Sequence, residues 1–415
     1  MDAYRALFTD RRFLIFWTGF TVSVTGDAMT RVALTWLVLS ETNSPEAVGL
    51  LNFLLMAPIV IGGLMAGWLL DRYDRATVLI IDAVLRAVAI SSIPAANVFG
   101  VLTLEHVYVV AALHGFLMMI PLAGVPTILP SIVPADRLGS ANALETFGYM
   151  SSGMIGAPVA GMLIDIVGPP GVLWIDAGSF LLFAFLVSRA GIPKRAPILA
   201  GEVKPEKSAG YGEVVRLLVR NPILVTTTLM FMGFNLGLGA MMVWLPIHAQ
   251  GLSGGDAGLY GQFLGVIAVG QLIAAAGVGM LASSAPYGLM ICLSQIATGL
   301  FLLPIAAVSV VPVMFASFFV QGLFHSPLTI LAQTLRMRII PPELRGRSFA
   351  LLRMMMQSTG PIGGLACGFL IPQIGLGPAI IASGLLMTIP ALGGLLVGPL
   401  RRARPNLLQT ASSAR

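Results

Sequence analysis

The sequence is short of charge. Only 10% of its 415 residues are Asp, Glu, Lys or Arg, against about 25% in an ordinary soluble protein. No stretch has the composition of a soluble domain of usual size. Cysteine is almost missing: Cys292 and Cys367 both lie inside apolar runs, which excludes a disulfide framework and a thiolate metal centre. Carboxylates thin out along the chain, and beyond Glu213 only Asp256 and Glu343 remain, both in loops. There is no His-Glu-x-x-His pair, no serine–lysine or paired-aspartate arrangement, and no phosphate-cradling glycine loop. The familiar chemistries of a membrane enzyme are therefore without their motifs, and neither a metal nor a bound cofactor is expected.

What fills the chain instead is apolar: 57% of the residues are hydrophobic. Runs of about 20 such residues, enough to cross a bilayer as a helix, recur along nearly the whole length. Twelve spans are predicted, over 13–40, 47–70, 77–99, 105–131, 139–166, 171–189, 220–249, 257–281, 287–308, 311–335, 347–373 and 376–399. The first follows Arg5, Arg11 and Arg12 but is too long for a signal peptide and lacks a small-residue cleavage site, so it reads as a retained span. Most connections are a few residues long. The polar, charged stretch from 190 to 216 is the exception, and it divides the chain into an N-terminal six-helix bundle (1–189), a cytoplasmic linker (190–216), a C-terminal six-helix bundle (217–400) and a cytoplasmic tail (401–415).

The basic residues test that count. With both termini inside, every Lys and Arg outside the spans falls on cytoplasmic segments: Arg5 to Arg12, Arg72 and Arg75, Arg137, the cluster from Arg189 to Arg220, Arg336 to Arg347, and Arg401 to Arg404. The outer loops carry none, as the positive-inside rule requires. The net charge of +6 is thus topological. It points to the lipid bilayer of an inner (plasma) membrane as the partner and not to nucleic acid.

The halves also repeat. "IVPADRLGSANAL" (132–144) enters the fifth span as "IPPELRGRSFALL" (340–352) enters the eleventh, aligning Pro134 with Pro342, Arg137 with Arg345, Ser140 with Ser348 and Gly156 with Gly364. The expected fold is all-α, with twelve transmembrane helices in two pseudo-symmetric six-helix bundles, as in one large class of secondary transporters.

Between the second and third spans stands a knot of alternating charge, "GWLLDRYDRATVL" (67–79). It resembles the G-x-L-x-D-R-x-G-R loop of the major facilitator superfamily, through Gly67, Leu69, Asp71, Arg72 and Arg75, with Asp74 where that family usually has glycine. This variant, together with "GDAMTRVALTWLVL", "RNPILVTTTLMFMGFNLGLGAMMVWLPIHAQ" and "PPELRGRSFAL", is similar to the drug:proton antiporter branch that includes macrolide efflux proteins and the enterobactin exporter. The resemblance implies that Asp71 meets the N-terminus of the eleventh helix and latches the cytoplasmic side, while Arg72 and Arg75 hold the loop at the surface. The counterpart loop "ASSAPYG" has no charge, so such a latch is one-sided. "GMIGAPVAGMLID" in the fifth span is similar to the family's antiporter motif, through Gly153, Gly156, Pro158 and Gly161. There the small residues allow close helix packing and the proline bends the helix.

Ionisable residues inside spans are costly and default to functional candidates. Asp27 lies about 20 Å along the first helix from its cytoplasmic end, with Arg31 at i+4 on the same face. The two read either as a proton-coupling site or as a static pair that orients the helix. Asp82 and Arg86 repeat the spacing nearer the cytoplasm and read as a structural pair; Asp176 reads as structural; Glu145 is the next carboxylate to consider for coupling. In the family resembled, helices 1, 4, 7 and 10 line the cavity. That implies a lining of Phe20, Trp36, His114 and Met118 in the first half, and of Phe234, Asn235, Gln321 and His325 in the second. Such an adaptable, apolar surface suits a small lipophilic or amphipathic cargo. The expected function is alternating-access, proton-coupled efflux of such compounds by a monomer, with the proton gradient as energy source. Export or flipping of a siderophore, lysophospholipid or other endogenous metabolite is the alternative, and a membrane enzyme the remote one.

Overall fold

The computed structural model describes residues 2–193, 211–281, 286–341 and 344–404. All regular structure among them is helical. The long helices are α1 (Arg11–Thr42), α2 (Pro45–Met56 and Pro58–Arg72), α3 (Arg75–Val98) and α4 (Leu104–Leu117 and Met119–Ile132). The stretch Leu138–Arg189 holds α5 and α6, divided at Gly168. Then come α7 (Pro222–Ser253), α8 (Gly258–Leu281), α9 (Tyr287–Leu300 and Leu303–Ala307), α10 (Val311–Ile339), α11 (Arg345–Gln357 and Thr359–Ile374) and α12 (Leu376–Leu396). These are the twelve helices expected. Nine described stretches are apolar and long enough to cross a bilayer. One of these, Ala135–Arg189, contains both α5 and α6; the more polar α1 and α11 complete the set.

Four of the helices are interrupted, and each interruption lies one to three residues before a proline: Ala57 before Pro58, Met118 before Pro121, Leu302 before Pro304, and Ser358 before Pro361. A proline supplies no N–H to the carbonyl four residues earlier and its ring crowds that carbonyl, so the ladder breaks there. The two halves share a second device. Gly168 (φ 72°, ψ 165°) turns the chain from α5 into α6, and Gly375 (φ 85°, ψ 168°) turns it from α11 into α12. Only glycine adopts that backbone at little cost, so the same residue type performs the same turn in both halves.

By packing, Met1–Pro197 with Pro246–Gly265 form one unit, and Ile198–Leu245 with Val266–Arg415 form the other. In the first unit α1 and α3 both pack against the stretch Leu138–Arg189, while α2 packs on α4. In the second, α9 lies against both α10 and α12. A further short helix, Tyr211–Arg220, stands where the linker was expected to continue. Its Val214 and Leu218 join Leu224, Ile340, Leu344 and Leu352 in a buried cluster, because its apolar residues fall on one face at helical spacing. Residues 194–210 of the expected linker, 282–285 of the uncharged loop, Pro342 and 405–415 of the tail lie outside the described residues.

Candidate functional site

The charged loop is built by capping. Asp74 is the N-cap of α3 and accepts from the Thr77 backbone N–H at 2.9 Å and its hydroxyl at 2.8 Å. This gives a physical reason for aspartate where the resembled family has glycine: an Asp N-cap satisfies a helix donor that glycine leaves to water. Arg75 donates to the Thr127 carbonyl of α4 at 2.7 Å, and the Arg72 guanidinium lies over the Trp68 ring at 5.6 Å. Gly67 and Asp71 are exposed, and Asp71 has no hydrogen bond or ion pair among the described residues.

A buried polar cluster occupies the interior of the first unit. Asp27 of α1 accepts a hydrogen bond from the Arg86 guanidinium of α3. His114 of α4 stands 3.4 Å from both, through Nε2 to Asp27 Oδ1 and to Arg86 Nη2. The Arg86 guanidinium also lies over the Phe180 ring of α6 at 4.3 Å. Asp27 is 4% exposed, Arg86 2%, His114 2% and Asp82 3%. Asp176 of α6, wholly buried, accepts from Thr30 of α1 and, at 2.8 Å, from Ser179. Its carboxylate approaches α1 where Gly26 has no side chain; a Cβ there would collide with it.

This geometry differs from the pairs the sequence suggests. Arg31 is exposed, and Asp27 pairs with Arg86. Asp82 does not hold Arg86 either, and its Oδ1 has no hydrogen-bond partner among the described residues. The reason is energetic. An i,i+4 ion pair on a helix surface contributes about 0.3–0.5 kcal/mol, whereas a buried carboxylate left unpaired costs about 3–5 kcal/mol. Asp27 and Asp82 are both in the interior with Arg86 as the buried cation; it contacts Asp27, and Asp82 is left without an ion pair among the described residues.

Arg86 and Asp176 were the residues least legible in the sequence as parts of one site with Asp27. The only signal was that charged residues are rare inside the expected spans, where they sit on α1, α3, α5, α6 and α11; Arg336, just past the expected end of α10, was not among them. Glu145 is half-buried near the start of α5 and takes no part in the hydrogen bonds of this cluster.

The motif of α5 makes two contacts. Gly156 faces α1, where an added Cβ would lie 2.7 Å from the Thr25 carbonyl. Pro158 and Gly161 face the start of α8: a Cβ on Gly161 would lie 2.7 Å from the Ala257 carbonyl, and one on Gly261 2.5 Å from that of Ala157. Gly153 meets nothing nearby. One turn beyond Gly161, Asp165 accepts from the backbone N–H of Ala257 at 3.0 Å and of Gly258 at 3.2 Å. A carboxylate is thereby set on the N-terminus of α8, where the helix dipole favours it. Asp256 also accepts from Gly258 N–H, at 2.6 Å. Hydrogen bonds with Asp165 and that amide hold the Asp256 carboxyl below the usual carboxylate range.

The aromatic and amide residues expected to line a cavity are largely packed inside their own units. Phe20 is 1% exposed and meets the Tyr149 ring edge-on at 4.9 Å. Trp36 stacks on Tyr260 at 6.3 Å. Met118 sits half-buried at the break in α4. Phe234 packs on His325 at 5.1 Å, and His325 Nδ1 lies 2.6 Å from Gln271 Nε2. Asn235 donates back to the Phe231 carbonyl at 2.8 Å. Gln321 is wholly buried, with its Nε2 3.9 Å from the Met241 sulfur. The offset that aligns Pro134 with Pro342 also aligns Asp27 with Asn235. The second half thus has an amide where the first has an acid. Its buried cation, Arg336, donates to the Thr227 carbonyl at 3.1 Å and covers the Phe231 ring, with no carboxylate partner among the described residues.

Comparison with known proteins agrees with the architecture. The Major Facilitator Superfamily signature matches residues 16–309. An MFS-type transporter of Sinorhizobium fredii, y4rN, is 25% identical over 91% of this chain and 93% of its own. The multidrug efflux pump Tap of Mycolicibacterium fortuitum is 24% identical over the same shares. Among solved structures, a bacterial homolog of the human lysosomal transporter Spinster, inward-facing and unoccupied, superposes with a TM-score of 0.71 at 13% identity, over 95% of this chain and 99% of that one. The all-helical fold, the paired halves and the match across most of the sequence lead to one conclusion: the chain is a membrane-embedded transporter that belongs to the Major Facilitator Superfamily.

Proposed function

We propose that this transporter exports lipophilic or amphipathic compounds in exchange for protons, with Asp27 as the coupling carboxylate. The observation that carries the reading is the buried cluster of Asp27, Asp82 and Asp176 around one buried guanidinium, Arg86. A fully ionised cluster would hold more negative than positive charge away from water, which is costly. Binding a proton relieves that imbalance, and losing it restores the Asp27–Arg86 pair. Asp82 Oδ1, Arg86 Nε and His114 Nδ1 have no hydrogen-bond partner among the described residues, so the cluster has capacity to rearrange as the proton comes and goes. The second half offers no carboxylate in its membrane helices, which leaves coupling to the first. Efflux is favoured by the relative named a multidrug efflux pump. The proposed setting is the inner membrane with both termini cytoplasmic.

The test is transport in sealed proteoliposomes with an acidic lumen, using a panel of lipophilic cations and neutral amphiphiles. Accumulation that collapses on adding a protonophore is expected for at least one compound. Accumulation indifferent to the proton gradient would replace coupling with simple exchange.

A further inference from the structure

A groove of about 650 Å³ opens where the start of α1 meets the end of α6. Three of its lining residues are arginines: Arg11 and Arg12 in the first turn of α1, and Arg189 at the last position of α6. None of the three is in an ion pair with a carboxylate among the described residues. The acid beside them in sequence, Asp10, uses its Oδ1 to cap α1 through the N–H groups of Arg12 and Phe13. The first turn of α1 contains no acidic residue, although that end of a helix dipole disfavours cations and favours anions. The Asp10 cap meets the helix dipole, so the positive potential of the groove comes from the guanidiniums themselves: two at the start of α1 and a third that arrives from α6.

The rest of the lining is apolar. Ile15, Phe185 and Leu186 lie on the same groove, and Phe185 is 53% exposed. The Arg189 guanidinium rests over the Phe185 ring at 5.2 Å, which restrains the cation beside the groove. Just past α6, Gly191 turns the chain at φ 61° and comes within reach of Arg12. By the distribution of basic residues this end faces the cytoplasmic leaflet. A ligand for the groove must then present phosphate-like negative charge to three arginines and hydrocarbon to the exposed aromatic and aliphatic side chains.

We infer that the groove is a binding site for the head group of an anionic phospholipid, with preference for one that carries two phosphates, as cardiolipin does. Basic pockets between helix ends on the cytoplasmic side have the chemistry for such heads. The volume exceeds what one phosphate fills, and three guanidiniums outnumber what a single monoanion neutralises. The site is distinct from the Asp27 cluster and does not depend on the cargo.

Native mass spectrometry of the detergent-purified full chain tests it, with cardiolipin, phosphatidylcholine and inorganic phosphate as separate ligands. The wild type should retain cardiolipin at concentrations that leave phosphatidylcholine unbound. Each Arg→Gln change at positions 11, 12 and 189 should weaken that binding about fivefold, the factor expected for roughly 1 kcal/mol per basic group at a membrane surface. Arg189→Gln alone provides the readout if Arg11→Gln or Arg12→Gln does not fold, and a triple Arg→Lys variant should keep most of the affinity. Arg401→Gln/Arg402→Gln, which changes basic residues outside the groove, should leave binding unchanged. Equal retention of cardiolipin in the wild type and the Arg→Gln variants would overturn the site. Arginine-dependent binding of inorganic phosphate without any preference for lipid would overturn the lipid assignment.

Discussion

Arg86 of α3 donates to Asp27 of α1, while Arg31, four residues from Asp27 on its own helix, is exposed. The pair ties two helices of the first unit together through a buried charge. It also makes Asp27 the one carboxylate of the cluster whose ionisation is matched by a cation in contact with it.

From this follows the behaviour of Asp27→Asn. The amide keeps the shape and an acceptor for Arg86 but carries no proton. Proton-driven accumulation in proteoliposomes should fall to background, whereas exchange of cargo down its own gradient continues. Full concentrative transport with an unchanged pH profile in the variant would remove Asp27 from the coupling role, and Glu145 would be tested next.

Arg86→Ala should behave differently. It strands Asp27 without its partner, at a cost of about 3–5 kcal/mol, visible as a lower unfolding temperature in detergent. Asp27→Asn/Arg86→Gln should recover part of that loss, since neither charge then remains. A double variant no more stable than Arg86→Ala would mean that the packing of Arg86 on Phe180, and not the ion pair, holds the site.

Asp71 and Asp74 are neighbours in the charged loop with separate tasks. Asp74→Ala removes the N-cap of α3 and should cost about 1 kcal/mol, measured as stability. Asp71 is exposed and unpaired among the described residues, so Asp71→Asn should leave stability unchanged and lower transport. Loss of stability in Asp71→Asn with normal transport would reverse the assignment.

Asp165 holds the start of α8 by accepting from Ala257 and Gly258. Ala257 is fully buried there, so a cysteine in its place should react slowly with a thiol reagent. Adding Asp165→Ala removes a helix cap worth about 0.5–2 kcal/mol and should speed labelling several-fold. Acidification should act in the same direction. The Asp256 carboxyl is held below its usual range by Asp165 and by the Gly258 amide, so these favourable contacts persist until the pH falls through that lowered value, and are then lost. Labelling rates unaffected by both changes would show that the glycine–proline packing alone keeps this contact closed.

Much of the architecture was written in composition. Long apolar runs have few options in a bilayer, because backbone polar groups without water must be satisfied within the helix. The count of spans followed from that constraint, and the expected orientation from the placement of Lys and Arg. Gly168 and Gly375, each inside a loop with a fixed φ requirement, show the repeat at the level of backbone geometry. The short helix Tyr211–Arg220 was missed because an amphipathic surface helix resembles a charged linker until a partner for its apolar face is known.

What the sequence by itself determined was the inventory: which helices cross, which residues inside them are ionisable, and that the second half contributes no membrane carboxylate. It did not determine who pairs with whom. Spacing within a helix nominated Arg31 for Asp27 and Arg86 for Asp82, since neighbours at i+4 are the only ones a one-dimensional pattern reveals. The tertiary structure decided otherwise by bringing α1, α3, α4 and α6 together around Asp27. Burial removes the water that would solvate Asp27, so the cation that reached it from another helix became its partner, and Asp82 was left without an ion pair among the described residues.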